Sequence, residues 1–232
     1  MRLRRIFSGV ATLLLLVGWA SSAGAQTQVD NRVWFIMPMQ GRIGSSTSPW
    51  RWVFETILRS REGLDELDTS GLRPYVTFDV TPRLSIGGGY AWANAYPVSG
   101  GTTTEHRIFG QFSWSLPVIG GTLALRTRME TRLVEDNSGP AGRFRQQFRF
   151  SHPIKRGHRL AILGYDELFV HTNETSRADD GIEQNRIFVG VSDTLTKRLR
   201  LEIGYLNQFY PSHRGAAARM NHVLSTVLGL TF

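Results

Sequence analysis

The sequence predicts an all-β chain, an antiparallel transmembrane β-barrel of about ten to twelve strands. Three observations carry that prediction. From Trp50 to the last residue, apolar side chains recur at every second position, which is the period of a strand whose successive side chains point to opposite faces. Short and long connections alternate strictly between these segments. Arginine, glutamate and glutamine collect on one face of most segments, and Leu, Ile, Val, Phe and Trp on the other.

The first 25 residues read as a cleaved export signal. Arg2, Arg4 and Arg5 precede an apolar run through Leu13–Leu16, and Ala23-Gly24-Ala25 offers a small-x-small cleavage site before Gln26. The apolar run is about a dozen residues, short of the ~20 that a spanning helix needs. Residues 26–232 then form a single domain. The chain contains no Cys, which excludes a disulfide scaffold, thiol catalysis and Cys-ligated metal.

The formal charge of +8 falls to +5 without the three signal arginines. An exported chain whose arginines alternate with apolar residues does not present a nucleic-acid patch. The slightly negative mean hydropathy disfavours a helical membrane protein, but not a barrel, where half of each strand meets lipid.

In order, Trp34–Ile43 is the weakest segment because Pro38 interrupts it. Trp50–Arg61 sets Trp50, Trp52, Phe54, Thr56 and Leu58 against Arg51, Val53, Glu55, Ile57 and Arg59. Arg73–Asp79 and Leu84–Trp92 follow, the latter with Ser85, Gly87, Gly89 and Ala91 on its second face. Glu105–Ser115, Thr122–Val134, Arg143–Phe150, Arg159–His171, Asn185–Asp193 and Arg198–Gln208 continue the pattern. Met220–Phe232 ends it, with Phe232, Leu230, Leu228, Thr226 and Leu224 on one face.

The short links are Val80–Arg83, Leu116–Gly121, His152–His158 and Thr194–Lys197. The long ones are Glu62–Gly71, Ala93–Thr104, Glu135–Gly142, Thr172–Gln184 and Phe209–Arg219. Short periplasmic turns alternating with longer external loops are the outer-membrane pattern. Pro49, Pro82, Pro97, Pro117, Pro140, Pro153 and Pro211 are expected in connections and Pro74 at a strand start. Aromatic girdles are expected at both rims, with Trp50, Trp52, Phe78, Trp114, Phe150 and Phe232 on the short-turn side and Trp92, Tyr96, Phe169 and Tyr210 on the long-loop side. Ten strands begin at Trp50. The Pro38 segment would make an odd number, so it is expected either to form a short hairpin, giving twelve, or to lie outside or inside the wall.

An Arg or Lys facing lipid at the midplane costs roughly 2–4 kcal/mol, so the charged face is expected to point inward. It carries Arg51, Arg59, Arg107, Arg126, Arg128, Arg132, Arg143, Arg145, Arg149, Arg186 and Arg200, with Glu55, Glu105, Glu130, Glu167 and Glu202 as their acids. Two roles fit such a face. It is either a paired ladder that fills a narrow barrel, or a basic interior that passes or holds anions. No catalytic residue, metal site or cofactor is assigned. His106 is a strand neighbour of Glu105 and points the other way. His171 and His213 lie near Ser176 and Ser212 in sequence only, and no G-x-S-x-G element occurs. The acidic stretch with Glu174, Asp179, Asp180 and Glu183 lacks calcium-loop spacing.

The final strand resembles the C-terminal signal that the barrel-assembly machinery of bacterial outer membranes reads, with Phe232, Leu230 and Leu228 as its elements. Glu105-His106-Arg107, Arg126-Thr127-Arg128, Phe144-Arg145, Tyr165-Asp166-Glu167-Leu168-Phe169, Gln184-Asn185-Arg186 and Gly204-Tyr205-Leu206-Asn207-Gln208 together resemble a bacterial domain-of-unknown-function family of exported barrel proteins. The resemblance implies a barrel of the Gram-negative outer membrane; such a barrel is expected to be a monomer in contact with lipid and lipopolysaccharide. It transfers no catalytic residue. The other readings are a lipid-modifying enzyme of that membrane and a soluble periplasmic β-sandwich that binds an anionic ligand.

Overall fold

The computed structural model describes residues 27–154, 159–213 and 216–232. The signal segment and its cleavage site lie outside these residues, as does His158. Eleven strands close into one barrel: β1 Gln28–Arg42, β2 Trp50–Arg61, β3 Glu66–Thr81, β4 Leu84–Ala95, β5 Thr103–Val118, β6 Gly121–Val134, β7 Ala141–Pro153, β8 Leu160–His171, β9 Gly181–Thr194, β10 Leu199–Tyr210 and β11 Arg219–Thr231. Every neighbour in sequence is an antiparallel neighbour in space, and β1 closes the ring against β11. A closed ring removes the unpaired edges that a sandwich would leave.

The count corrects the expectation for the Pro38 segment. It is neither a hairpin nor a piece off the wall, but one full strand. Eleven is odd, so alternation cannot be kept all the way round and one pair must run parallel. That pair is β1·β11, in register from Gln28↔Arg219 to Gln40↔Thr231. Phe232 extends it, its N–H donating to the Gln40 carbonyl at 2.9 Å. Pro38 is tolerated because its missing N–H falls in a gap of this ladder, between Ile36↔Val227 and Met39↔Leu230. On its other side it stays in register with Glu55.

Other expectations shift at strand ends. β3 starts at Glu66, so the long link after β2 shrinks to a tight turn with Glu62 and Gly63 at positive φ. Pro74 sits inside β3, opposite a break in the β3–β4 ladder between Leu72↔Trp92 and Tyr75↔Gly89. Pro117 and Pro153 fall in the final residues of β5 and β7. At the short-turn rim Trp50 packs at a tilt against Phe78, ring centroids 4.9 Å apart, and Trp52 against Phe232 at 5.8 Å. The long-loop girdle loses Phe169, which is 1% exposed beneath three guanidinium groups. Tyr210 also leaves it, lying under Arg219.

The outward face is apolar on strand after strand, with Ile86, Ile108, Met129, Phe148, Val189 and Leu224 all exposed. A polar seam interrupts it, and its members satisfy one another. Thr127 donates to Gln146 at 2.6 Å, and Asn185 to Asp166 at 2.5 Å. Tyr90 stacks on His106 and Tyr205 on His222.

Candidate functional site: the packed interior

Volume in the interior is shared between strands. The inward positions of β4 are small: Ser85, Gly87, Gly89 and Ala91. A Cβ on Gly89 would come within 2.3 Å of the Tyr75 Cβ and 2.4 Å of the Pro74 carbonyl. Tyr75 in turn meets Phe109 edge-on at 5.6 Å, and the Arg128 guanidinium lies 4.2 Å above that ring. On the far side, Trp34, Leu163, Phe188, Leu206 and Val223 form an apolar cluster with Tyr165 against it.

Between these two apolar blocks runs an alternating chain of ion pairs. Arg126 donates to Glu167 at 3.0 Å, and Glu167 accepts from Arg145 at 2.7 Å. Arg145 reaches Glu130 at 2.8 Å, and Glu130 also pairs with Arg143. Arg143 reaches Glu183 at 3.2 Å, Glu183 meets Arg132 at 3.5 Å, and Arg132 and Arg107 share Glu105. Each glutamate thus takes at least two arginines, which satisfies carboxylate lone pairs that burial would otherwise leave bare. Arg128, 1% exposed, is held by the Gln111 side-chain oxygen at 3.1 and 2.5 Å and lies 3.7 Å from Glu130.

The remaining acids form smaller groups. Glu55 takes Arg73 at 2.7 Å and the Tyr75 hydroxyl at 3.0 Å. Glu202 takes Arg149 at 2.6 Å and Arg200 at 3.2 Å. Arg51 pairs with Asp79 beside a cavity of about 290 Å³ at the short-turn mouth, lined also by Arg83, Ser85, Arg126 and Gln147.

Two of the arginines predicted from sequence stand outside these pairs. Arg59 and Arg186 lie over the Trp34 ring at 4.1 and 4.9 Å. Glu183 is absent from the predicted set because it reads as part of an acidic loop. A β-bulge between Phe169 and Val170, where Ile182 and Gln184 flank it, turns Glu183 inward beside Gln184. Arg73 and Asp79 were also missed, although both alternate with apolar residues on β3.

Histidine contacts include those with Tyr90, Gly120, Gly142, Phe150, Glu183, Asp179, Ile182 and Tyr205. His171 lies 3.7 Å from Glu183 and His213 3.8 Å from Asp179. No group of three His, Asp or Glu among the described residues is arranged to hold a metal ion.

The fold and its interior define a class: an eleven-stranded closed β-barrel filled by its own arginines, glutamates and aromatic rings. The chain belongs to the family described as "Protein of unknown function (DUF2490)", whose model matches residues 31–219. It is similar to an uncharacterised protein of Methylorubrum extorquens, 28% identical over 217 residues that cover 91% of this chain and 92% of that one. No solved structure matches.

Proposed function

We propose that the protein is an outer-membrane β-barrel whose interior is closed by side chains, so that it acts as a structural barrel and not as an open pore. The observation that supports this reading best is the contrast between its two faces. Inside, arginines and glutamates pair across the barrel. Outside, large apolar side chains stand exposed on successive strands all round the ring, where a soluble monomer rarely exposes a large contiguous apolar patch. A lipid bilayer is the solvent that satisfies both faces at once. The aromatic contacts at the short-turn rim, Trp50–Phe78 and Trp52–Phe232, suit a membrane–water boundary.

In this reading the short turns face the periplasm and the longer loops face outward, toward lipopolysaccharide. Phe232 is then the residue read by the assembly machinery. The barrel works as a monomer, and an export signal removed before Gln26 delivers it. Extraction from cell envelopes tests the location. A barrel in the outer membrane requires detergent for release and migrates faster on electrophoresis before heating than after. Release by buffer alone, with one unchanging mobility, would overturn it.

A further inference from the structure

The interior arginines fall into two populations. Most have carboxylate partners, among them Arg51, Arg73 and Arg200 as well as those of β5–β7. Arg59, Arg186 and Arg219 have none among the described residues, and they gather on the side formed by β1, β2, β9, β10 and β11. Arg59 and Arg186 both stack at the Trp34 ring. Arg186 spends its Nε on the Gln184 side-chain oxygen at 3.0 Å. That oxygen also accepts from Gln208 at 2.6 Å, and the same Gln208 nitrogen donates to the Tyr210 hydroxyl at 2.6 Å. Arg219 lies 4.1 Å over the Tyr210 ring, at the long-loop end. One polar relay therefore joins the Arg186 and Arg219 guanidinium groups.

The same sector collects unmatched donors. The Nε of Arg59, the Nε of Arg219 and the indole Nε1 of Trp34 are all buried without a protein acceptor, and the Asn221 side-chain oxygen nearby is a buried acceptor without a donor. Buried donors and cations left unmatched are destabilising, unlike the paired arginines a few strands away. Donors outnumber acceptors, and the charge is positive. The complement is an anion with several oxygens and a hydroxyl to give.

We propose that Arg59, Arg186 and Trp34, with Arg219 at the entrance, form a binding site for an oxyanion of the phosphate class, entered from the long-loop end. A hydrogen phosphate offers acceptor oxygens to both guanidinium planes and a P–OH to Asn221. The site is interior, so it holds whichever compartment the barrel occupies, and its test in detergent is independent of the location experiment.

The full mature chain, refolded in detergent, is titrated with inorganic phosphate while its thermal unfolding is followed. A second arm uses short-chain phosphatidic acid in the micelles. Expected is a phosphate-dependent rise in unfolding temperature that is lost in Arg59→Gln and in Arg186→Gln and kept in Lys197→Gln. In phosphate-free buffer Arg59→Gln unfolds no lower than the parent, because an unmatched buried cation has been removed. A response to both arms assigns the site to phosphate groups of any source, and a response to phosphate alone assigns it to a free solute. No response of the parent in either arm overturns the site. So does an undiminished response in both arginine variants, or an Arg59→Gln that unfolds lower without phosphate. If Arg186→Gln fails to refold, Arg186→Lys, which keeps the charge and loses the fork, is expected to weaken the response.

Discussion

A single oxygen of Glu167, Oε1 on β8, accepts from three guanidinium nitrogens: Arg145 Nη2 at 2.7 Å, Arg145 Nε at 3.1 Å and Arg126 Nη2 at 3.0 Å. Glu167 and Arg145 are 3% and 5% exposed. Removing one partner of such a pair leaves a bare charge, which costs about 3–5 kcal/mol. Glu167→Gln and Arg145→Gln should each lower the unfolding free energy of the refolded barrel by that amount, read from its urea unfolding curve. The double variant should cost less than the two singles added, because the residues contact one another. Additive losses would show that the pair is not coupled.

Removal of Phe232 should act on assembly. Its ring packs on Trp52 at 5.8 Å and its N–H closes the ladder to Gln40, both at the exposed rim. The expected outcome is loss of inserted protein in cells with little change in the barrel once refolded. Normal insertion of the truncated chain would count against Phe232 as the assembly signal.

The β1·β11 seam can be read with cysteines, since the chain has none of its own. Met39 and Leu230 are register partners across it. Met39→Cys with Leu230→Cys should be joined by a short bifunctional reagent in the folded barrel. Phe54→Cys with Leu230→Cys, which a ring closed on β2 would bring together, should not.

Gly89 and Gly110 separate crowding from backbone propensity. A side chain at Gly89 meets Tyr75 and Pro74 at once, whereas at Gly110 it meets nothing within 4 Å. Gly89→Val should destabilise by about 1–3 kcal/mol or more, as overpacking does. Gly110→Val should be neutral or stabilising, measured from the same urea unfolding curves.

The strands were legible because their period is two and the interior is polar while the outside is apolar. Thr122–Val134 predicts β6 to within a residue. Where an inward position carries a small or apolar residue, the pattern fades. β3 starts early at Glu66, because Thr69 and Gly71 give no polar contrast. The interior rings were not legible. Phe109 is the exception, since it alternates in phase with Glu105, Arg107 and Gln111, but Trp34 and Phe169 look like membrane-facing residues, and only the guanidinium groups stacked on them mark them as inward. Glu183 was hidden by its bulge, since one extra residue changes which way a side chain points. The parallel closure follows from an odd strand count, a property of the whole ring that no local window contains.

The most direct measurement is the conductance of the refolded mature chain in planar lipid bilayers. A barrel closed by the Arg126–Glu167–Arg145–Glu130–Arg143 chain and the Trp34 cluster inserts and gives no discrete current steps at moderate voltage. Stable, reproducible steps with anion selectivity would contradict that account, because ions would then be crossing an interior that these side chains are held to fill.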